Sequence, residues 1–332
     1  MDGYLLLKAI GFILLAVFGI PGNVYILLKF GFIRIIEKRL LANNIILTVL
    51  ALVNVLVVLS RVIPQAMQAM GVENVLDDTK CKFVIFTYRM SRAMQICITS
   101  LLSCHQCILI APTTNLWMFL KQKVTKNVSF IILVILLINI VVQPAGILYS
   151  YAKKNTTRSP YTLHLVYCDT DFITYVSYIV NGSFYACKDF IFVGLMAVAS
   201  IYIVYMLLQH ARSVQFISVS SQRKSAEQKA SKAVILLVVC YVLLFGLDNS
   251  MWIYTLTLSN VTADMNDARI VLSCSYATLS PIVIIATNPR LHMSATFFKQ
   301  RKSLISTVQG NSESSTMSNV SPMGCDGDRV IS

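Results

Sequence analysis

Long stretches of apolar residues recur along the chain and alternate with short segments that carry most of its charged residues. Six stretches of at least 20 residues contain no charged side chain, and a seventh, 233–263, contains only Asp248. A helix of about 20 apolar residues spans the roughly 30 Å hydrocarbon core of a bilayer, because each residue adds about 1.5 Å. The pattern therefore predicts seven membrane-spanning helices, approximately at 6–30, 41–63, 82–112, 128–150, 174–209, 230–258 and 268–289.

The composition excludes a water-soluble fold. Only 13% of the 332 residues are charged, against about 25% in a typical soluble protein, and 56% are hydrophobic. This many apolar side chains cannot all be buried in one soluble core, so most of them must face lipid. We therefore expect an all-α, integral membrane, seven-helix bundle over residues 1–302. Residues 303–332 are polar and rich in Ser, and we expect them to form a disordered cytoplasmic tail.

Basic residues predict the orientation of the helices, since Lys and Arg are retained in cytoplasmic loops. With the amino terminus outside, 17 of the 28 basic residues fall on the inner side and 7 in outer segments. An odd number of spans then places the carboxyl terminus inside. A cleaved signal peptide with Lys8 as its basic residue is the alternative for the first apolar stretch. It is disfavoured because the apolar run continues to Leu28, past any plausible cleavage point.

Four Asn-x-Ser/Thr sequons offer a test of this topology, because glycans are attached only on the lumenal, later extracellular, side. The sequons at Asn155 and Asn260 lie in predicted outer segments, and we expect both to be glycosylated. Asn127 lies at the predicted inner face and Asn181 lies within the fifth helix, so both should stay unmodified.

Most of the nine cysteines lie within apolar stretches, where a thiol usually acts as a small buried hydrophobe. Cys81 and Cys168 differ, because they lie at the outer end of the third helix and in the second outer loop. That compartment is oxidising, so we predict a disulfide between them that stabilises the fold by about 2–4 kcal/mol. Cys104, His105 and Cys107 lack a fourth metal ligand nearby, and packing is the preferred interpretation.

Six ionisable side chains interrupt the outer halves of the predicted helices, and a charge at a helix centre costs about 2.5–3.5 kcal/mol. They are Arg61, Arg89, Arg92, Lys188, Asp189 and Asp248. One interpretation is that these residues pair with one another and only fix the positions of the helices. Pairing is incomplete, however, because four cationic groups face two carboxylates.

The surplus of positive charge predicts a site for an anionic ligand. Arg89 and Arg92 are three residues apart and so share one face of the third helix. A guanidinium offers a fork of donors that fits a carboxylate, phosphate or sulfate. We predict that these two arginines hold the anionic end of a small molecule, with Tyr88, Trp252 and Tyr254 as aromatic walls. The other four charged residues complete the predicted ligand-binding set.

Several strings along the chain resemble the type 1 vomeronasal receptors. They are LSRVIPQAM at 59–67, Cys81-Lys82, Tyr88-Arg89, Arg92, Ile96-Cys97, Leu101-Leu102-Ser103, Gln106, Ala111-Pro112 and LSPIV at 279–283. The resemblance extends along the chain to about Arg290. It implies a G-protein-coupled receptor with seven helices, which detects a small odorant or pheromone.

The chain departs from the broader rhodopsin-like pattern in three places. Cys104-His105-Gln106 stands where most such receptors have an acidic-Arg-Tyr triplet, the second helix has no Asp, and the sixth lacks a Cys-Trp-x-Pro string. Because of His105-Gln106 and Asn288-Pro289, the chain is more similar to the fish olfactory receptors related to class A. This resemblance implies the plasma membrane of sensory neurons and coupling to an inhibitory-type heterotrimeric G protein.

Residues at the inner ends of the helices are the candidates for contact with that G protein. They are His105, Gln106, Pro112, Arg223 and Lys224. The last two belong to a basic segment, 212–232, between the fifth and sixth helices. Attraction to anionic lipids explains the same basic charges equally well.

Other functions remain as alternatives. A bitter taste receptor has a similar size and a short amino terminus, but its typical inner motifs do not match this chain. A transporter or channel would use intramembrane carboxylates, but the sequence shows no inverted repeat. The motifs of common enzymes are absent, and we expect no cofactor or metal. Nucleic acid is not an expected partner either, because the basic residues are divided among short loops.

Overall fold

The structure of the protein is a computed structural model. It describes residues 3–38, 40–72, 76–112, 114–143, 150–152, 162–164, 168–171, 174–214, 222–257, 263–288 and 291. The fold lies within a compact unit that ends at Asn288. The predicted tail, 303–332, lies outside the described residues.

Seven helices make up most of the described chain, and each contains a segment long and apolar enough to cross a membrane. Their bounds are α1, Gly3–Glu37; α2, Ala42–Ala69; α3, Asp78–Ile110; α4, Asn115–Val142; α5, Tyr175–Val214; α6, Gln222–Thr257; and α7, Ala263–Thr287. The prediction of seven spans is confirmed. The longest helices, α1, α5 and α6, have 35, 40 and 36 residues and therefore exceed the length that hydrocarbon alone requires.

The predicted fourth helix, 128–150, is wrong at both ends. α4 begins at Asn115, 13 residues earlier, although its backbone leaves the helical conformation at Asn127, where φ is −106° and ψ is 16°. α4 ends at Val142, and Ser150 belongs to a strand. Pro144 explains the early end, because proline disfavours the helical conformation at the residue before it and has no N–H to donate. That preceding residue, Gln143, has φ −99° and ψ 11°. The apolar residues that follow therefore do not extend the helix.

α2 contains one irregular turn. A π-helical turn, Val58–Val62, separates the α-helical segments Ala42–Val57 and Ile63–Ala69. Pro64 accounts for it, because its ring nitrogen cannot donate a hydrogen bond to the preceding turn of an α-helix. Arg61 lies within this turn and is only 6% exposed, so the irregular turn carries a cation into the bundle.

α2 and α3 form the centre of the bundle, and their most apolar segments are the most buried of the seven. α1 packs closely against α7 through two glycines. A Cβ atom on Gly19 would lie 3.0 Å from Thr278 Oγ1, and one on Gly22 would lie 3.1 Å from Pro281. Small residues at these two positions therefore allow the helix backbones to approach, as is common between membrane helices.

Large apolar side chains cover the outside of the bundle. Leu28, Val141 and Val198 are 68%, 77% and 69% exposed. Such exposure would be costly in water but matches a surface that contacts lipid. The exposed apolar surface therefore agrees with the membrane-spanning assignment of the helices.

Three short strands form an antiparallel sheet over one end of the bundle, in the order β1-β3-β2. Their bounds are β1, Ser150–Ala152; β2, Thr162–His164; and β3, Cys168–Asp171. The all-α prediction omits this sheet, because strands of three or four residues carry too little periodicity to be recognised. We call this end of the bundle the sheet end.

The predicted disulfide joins Cys81 to Cys168, whose Cα atoms lie 6.0 Å apart. It attaches β3 to the first turn of α3. Asp78 Oδ1 also accepts a hydrogen bond from the backbone nitrogen of Ala152, at 2.8 Å. Both outer strands and the central strand are thus linked to α3 directly or through pairing. The predicted glycosylation sites Asn155 and Asn260 lie outside the described residues.

Candidate functional site

Nine charged side chains lie inside the half of the bundle nearer the sheet end. The cations are Lys8, Arg61, Arg89, Arg92, Lys188 and Arg269, and the carboxylates are Asp189, Asp248 and Asp267. All are buried or half-buried, so each charge interacts more strongly with its neighbours than it would in water. Among the described side chains of this region, cations outnumber carboxylates by two to one.

Asp248 of α6 is shared by two arginines. Its Oδ2 lies 3.3 Å from Arg92 Nη2 of α3, and its Oδ1 lies 3.8 Å from Arg269 Nε of α7. Arg92 Nη1 also donates to the backbone oxygen of Ser273, at 2.8 Å. These contacts link α3, α6 and α7, and they occupy the Arg92 guanidinium with groups of the protein itself.

Lys188 and Asp189 of α5 are paired with each other, with Lys188 Nζ 3.6 Å from Asp189 Oδ1. Adjacent side chains leave a helix about 100° apart, but these two are long enough for their charged ends to meet. Lys188 Nζ also donates to Asn139 Oδ1 of α4, at 3.5 Å. The pair therefore connects α5 with α4.

A third carboxylate, Asp267 near the start of α7, contacts residues of α1 and α2. Asp267 Oδ2 lies 2.6 Å from Lys8 Nζ, and Asp267 Oδ1 accepts from Gln65 Nε2 at 2.7 Å. These contacts connect α7 with α1 and α2. Lys8 thus has a definite partner within the bundle, which the sequence analysis did not assign.

Two of the predicted ligand-binding residues contact each other. The guanidinium carbon of Arg61 lies 4.9 Å from the centre of the Tyr88 ring. A cation over an aromatic face is attracted by the ring quadrupole. The Tyr88 ring therefore contacts Arg61, a residue of the protein itself.

Arg89 has a different environment from the other arginines. It forms no ion pair with any described residue, and its buried Nη1 has no hydrogen-bond partner there. Its guanidinium carbon lies 5.9 Å from the centre of the Tyr185 ring of α5. The Tyr185 hydroxyl is buried beside Arg89 and interacts with its guanidinium, but neither this hydroxyl nor Arg89 Nη1 has a well-formed hydrogen bond to a described residue. Arg89 and Tyr185 thus place two buried donors side by side, and no described carboxylate accepts from either of the two atoms.

The two arginines that were predicted to act together contact different helices. Arg89 faces Tyr185 of α5, whereas Arg92 faces Asp248 of α6 and Ser273 of α7. Side chains three residues apart on a helix differ by about 60° in direction, which is enough to reach different neighbours. The side chains of Trp252 and Tyr254 lie outside the described part of the chain.

A network of amides lies deeper in the bundle than these charges. Asn54 Nδ2 donates to Asn23 Oδ1 at 3.2 Å and to Ser280 Oγ at 2.8 Å, and Asn54 Oδ1 accepts from Gln95 Nε2 at 2.8 Å. Gln95 Oε1 in turn accepts from Arg92 Nη1, at 3.4 Å. The network joins α1, α2, α3 and α7 and connects the charged region with the centre of the bundle.

The predicted G-protein contacts lie at the end of the bundle opposite the sheet end. His105 is 2% exposed, and neither ring nitrogen has a partner among the described residues. Gln106 Nε2 donates to Asn43 Oδ1 of α2 at 2.9 Å, and Pro112 is exposed just beyond α3. Arg223 and Lys224 belong to the first turns of α6, but their side chains lie outside the described part of the chain.

Tyr185 is the site residue that sequence reasoning missed. Its spacing gave a usable signal, because Tyr185 precedes Lys188 by three residues and Asp189 by four. Residues with these spacings lie on one face of a helix. An aromatic residue on the same face as two intramembrane charges is therefore a candidate to contact them. Asp267 gave no comparable signal, since it lies near a helix end, where charges are common.

A family profile matches most of the chain. The profile of the Vomeronasal organ pheromone receptor family matches residues 8–297. That range contains α2 to α7 and most of α1. It also contains every described residue of the charged region.

Individual relatives agree with the family profile. The chain is 39% identical to Olfactory receptor class A-like protein 1 of Danio rerio over 292 residues, which cover 88% of this chain and 92% of the relative. It is 30% identical to Vomeronasal type-1 receptor 3 of Homo sapiens over 299 residues, which cover 85% and 92%. The resemblance found in the sequence strings is thereby confirmed, and the protein belongs to the vomeronasal pheromone receptor family, whose members are receptors and not enzymes.

Proposed function

We propose that the protein is a chemosensory G-protein-coupled receptor that binds a small anionic organic molecule near the sheet end, with Arg89 as the anchor. The observation that carries this proposal is the buried Arg89 Nη1, which has no hydrogen-bond partner among the described residues. The similarity to an olfactory receptor and to a vomeronasal receptor supports the chemosensory assignment. The plasma membrane of sensory neurons is the proposed location.

The charge balance supports an anionic ligand. Burying a cation without a partner is costly, and the cost falls when an opposite charge and hydrogen bonds are supplied. Arg92 and Lys188 already have carboxylate partners at 3.3 Å and 3.6 Å. Arg89 has none among the described side chains. The binding free energy of an anion should therefore be more favourable beside Arg89 than beside Arg92 or Lys188.

The paired residues have a different proposed role. Asp248 joins α3, α6 and α7, and the Lys188–Asp189 pair joins α5 to α4 through Asn139. A ligand beside Arg89 would lie one helical turn from Arg92 and between α3 and α5. Its binding would then favour one arrangement of these helices over another, and the shift can be no larger than the difference in its affinity for the two arrangements.

At the opposite end, we propose that the favoured arrangement admits a heterotrimeric G protein of the inhibitory type. The predicted contacts there are His105, Gln106, Pro112, Arg223 and Lys224. The buried His105 ring supports a rearrangement at this end, because its two ring nitrogens lack partners in the present arrangement among the described residues. The proposed orientation places the sheet end outside and this end in the cytoplasm.

Replacing Arg89 with Gln tests the proposed ligand site. Cells expressing the receptor with a promiscuous G protein would be screened with small carboxylates, amines and steroids. We expect carboxylates to activate, and Arg89→Gln to raise their half-maximal concentration about 10- to 100-fold. A hydrogen bond to a charged group contributes about 1.5–3 kcal/mol, and each 1.4 kcal/mol changes affinity tenfold.

The matched control is Lys80→Gln. Lys80 lies at the start of the same helix, but its ion pair with Asp77 is exposed, with the side chains 66% and 76% accessible. Exposed pairs contribute little, so potency should not change. Activation by amines alone, or unchanged potency of Arg89→Gln at normal surface expression, would contradict the proposal.

Glycosylation tests the proposed orientation. We expect Asn155→Gln to increase the electrophoretic mobility of the receptor, because this sequon would be lumenal during synthesis. Asn127→Gln, in a sequon that we place on the cytoplasmic side, should leave mobility unchanged. Treatment with an N-glycosidase should remove the difference between Asn155→Gln and the unmodified chain. A mobility shift for Asn127→Gln and none for Asn155→Gln would contradict the proposed orientation and favour the opposite one.

A further inference from the structure

We propose that Tyr185 is a second recognition residue and that its hydroxyl and Arg89 Nη1 donate to the same anionic group. The ligand's anionic group would then be an oxyanion with two acceptor oxygens, such as a carboxylate or sulfonate. This inference rests on the proposed function, since it concerns the same site. It adds a residue that the sequence analysis did not consider and restricts the chemistry of the ligand.

The two donors are close together, and no described carboxylate accepts from either of them. The guanidinium carbon of Arg89 lies 5.9 Å from the Tyr185 ring centre, and the hydroxyl is within electrostatic reach of the guanidinium. Neither Arg89 Nη1 nor the Tyr185 hydroxyl has a hydrogen-bond partner among the described residues, although both atoms are buried. Buried polar groups are normally hydrogen-bonded, and the loose contact between these two side chains leaves the hydroxyl hydrogen and Arg89 Nη1 available for a further acceptor. A hydroxyl and a guanidinium together fit a group with two acceptor oxygens.

Lys188 fixes the ring without competing for the ligand. Its Nζ lies 6.0 Å from the Tyr185 ring centre. The same nitrogen already contacts Asp189 at 3.6 Å and Asn139 at 3.5 Å. Two cations thus contact one ring, which restricts its position relative to Arg89. Recognition groups held in place before binding lose less entropy when the ligand arrives.

The geometry predicts which ligands are rejected. A primary amide has the shape of a carboxylate but presents an N–H group where the second oxygen would be. It would bring a donor to the Arg89 guanidinium, or use the Tyr185 hydroxyl as an acceptor, and in both orientations it would lack the negative charge that neutralises Arg89. Sites built around buried polar groups reject such analogues strongly, because those groups are then left unpaired.

The full chain, purified in lipid nanodiscs, provides the test. Thermal stabilisation would be titrated with benzoate, benzenesulfonate and benzamide, for the native sequence and for Tyr185→Phe. We expect the two oxyanions, and not benzamide, to stabilise the native receptor. Tyr185→Phe keeps the ring and removes only the hydroxyl, so benzoate affinity should fall about 5- to 20-fold. The unfolding temperature without ligand should change little, since the hydroxyl has only a loose contact with Arg89 to lose.

Two further variants separate the possible failures. Tyr205→Phe makes the same change on α5 at a side chain that is 61% exposed, and it should bind benzoate normally. Loss of binding in Arg89→Gln with normal binding in Tyr185→Phe would overturn this inference and leave the proposed function intact. Normal binding in Arg89→Gln would overturn both. Equal stabilisation by benzoate and benzamide, or no saturable stabilisation by either oxyanion, would also overturn the inference.

Discussion

Replacing Asp248 with Asn is expected to remove most of the receptor from the cell surface. The Asp248 carboxylate contacts Arg92 at 3.3 Å and Arg269 at 3.8 Å, and its side chain is only 18% exposed. Asparagine keeps the size of the side chain but removes the charge that faces two guanidinium groups. Breaking a buried pair by removing one partner costs about 3–5 kcal/mol, which is a large share of a typical folding free energy.

The ratio of surface to total receptor, measured by flow cytometry, would test this prediction. Asp77→Asn is the matched control, because it breaks an ion pair that is exposed, and we expect no measurable change. Arg92→Met combined with Asp248→Leu should recover part of the lost surface expression, since apolar replacements can substitute for a buried ion pair. A normal surface level for Asp248→Asn would show that the pair does not stabilise the bundle.

The second large effect is expected at Asn54. This side chain makes three hydrogen bonds, to Asn23 at 3.2 Å, to Ser280 at 2.8 Å and from Gln95 at 2.8 Å. Asn54→Leu would leave polar atoms of Gln95, Asn23 and Ser280 buried with fewer partners. Each buried polar group left without a partner costs about 1–3 kcal/mol, so the total loss should reach several kcal/mol. We expect a large fall in the unfolding temperature of the purified receptor.

Asn44 supplies the matched control for that substitution. It lies on the same helix, is 4% exposed, and its amide nitrogen has no hydrogen-bond partner among the described residues. Asn44→Leu should therefore leave the unfolding temperature unchanged or raise it. Differential scanning fluorimetry of both variants would compare them directly. Equal decreases for Asn44→Leu and Asn54→Leu would mean that the network contributes nothing beyond the volume of its side chains.

The membrane-spanning segments could be predicted from the order of residues, because a bilayer imposes a local rule. Each span must supply about 20 apolar residues and satisfy its own backbone groups, whatever its neighbours are. Two of the exceptions arose where a second local rule, the effect of proline on a helix, applied as well. Pro144 ended the fourth helix, and Pro64 accompanied an irregular turn in the second. Both prolines are visible in the sequence.

The charged residues show what could be predicted only in part. Composition indicated correctly that cations would exceed carboxylates, since counting charges requires no knowledge of their positions. The spacing of Arg89 and Arg92 predicted a shared face, but it could not tell which helices that face would meet. In the structure one arginine meets a tyrosine on α5 and the other meets Asp248 on α6. These partners lie 96 and 156 residues away along the chain, so the sequence alone does not show which residues meet.

The sequence by itself determined that this protein is a seven-helix membrane receptor of the vomeronasal type, because hydrophobic length, charge bias and short strings are local properties. The tertiary structure decided which polar groups are satisfied. It placed Arg92 beside the carboxylate of Asp248. Among the described residues, it left Arg89 Nη1 and the Tyr185 hydroxyl buried without a well-formed hydrogen bond. The physical reason is that hydrogen bonds and ion pairs act over a few ångströms, so they depend on which helices are neighbours and not on their order in the chain.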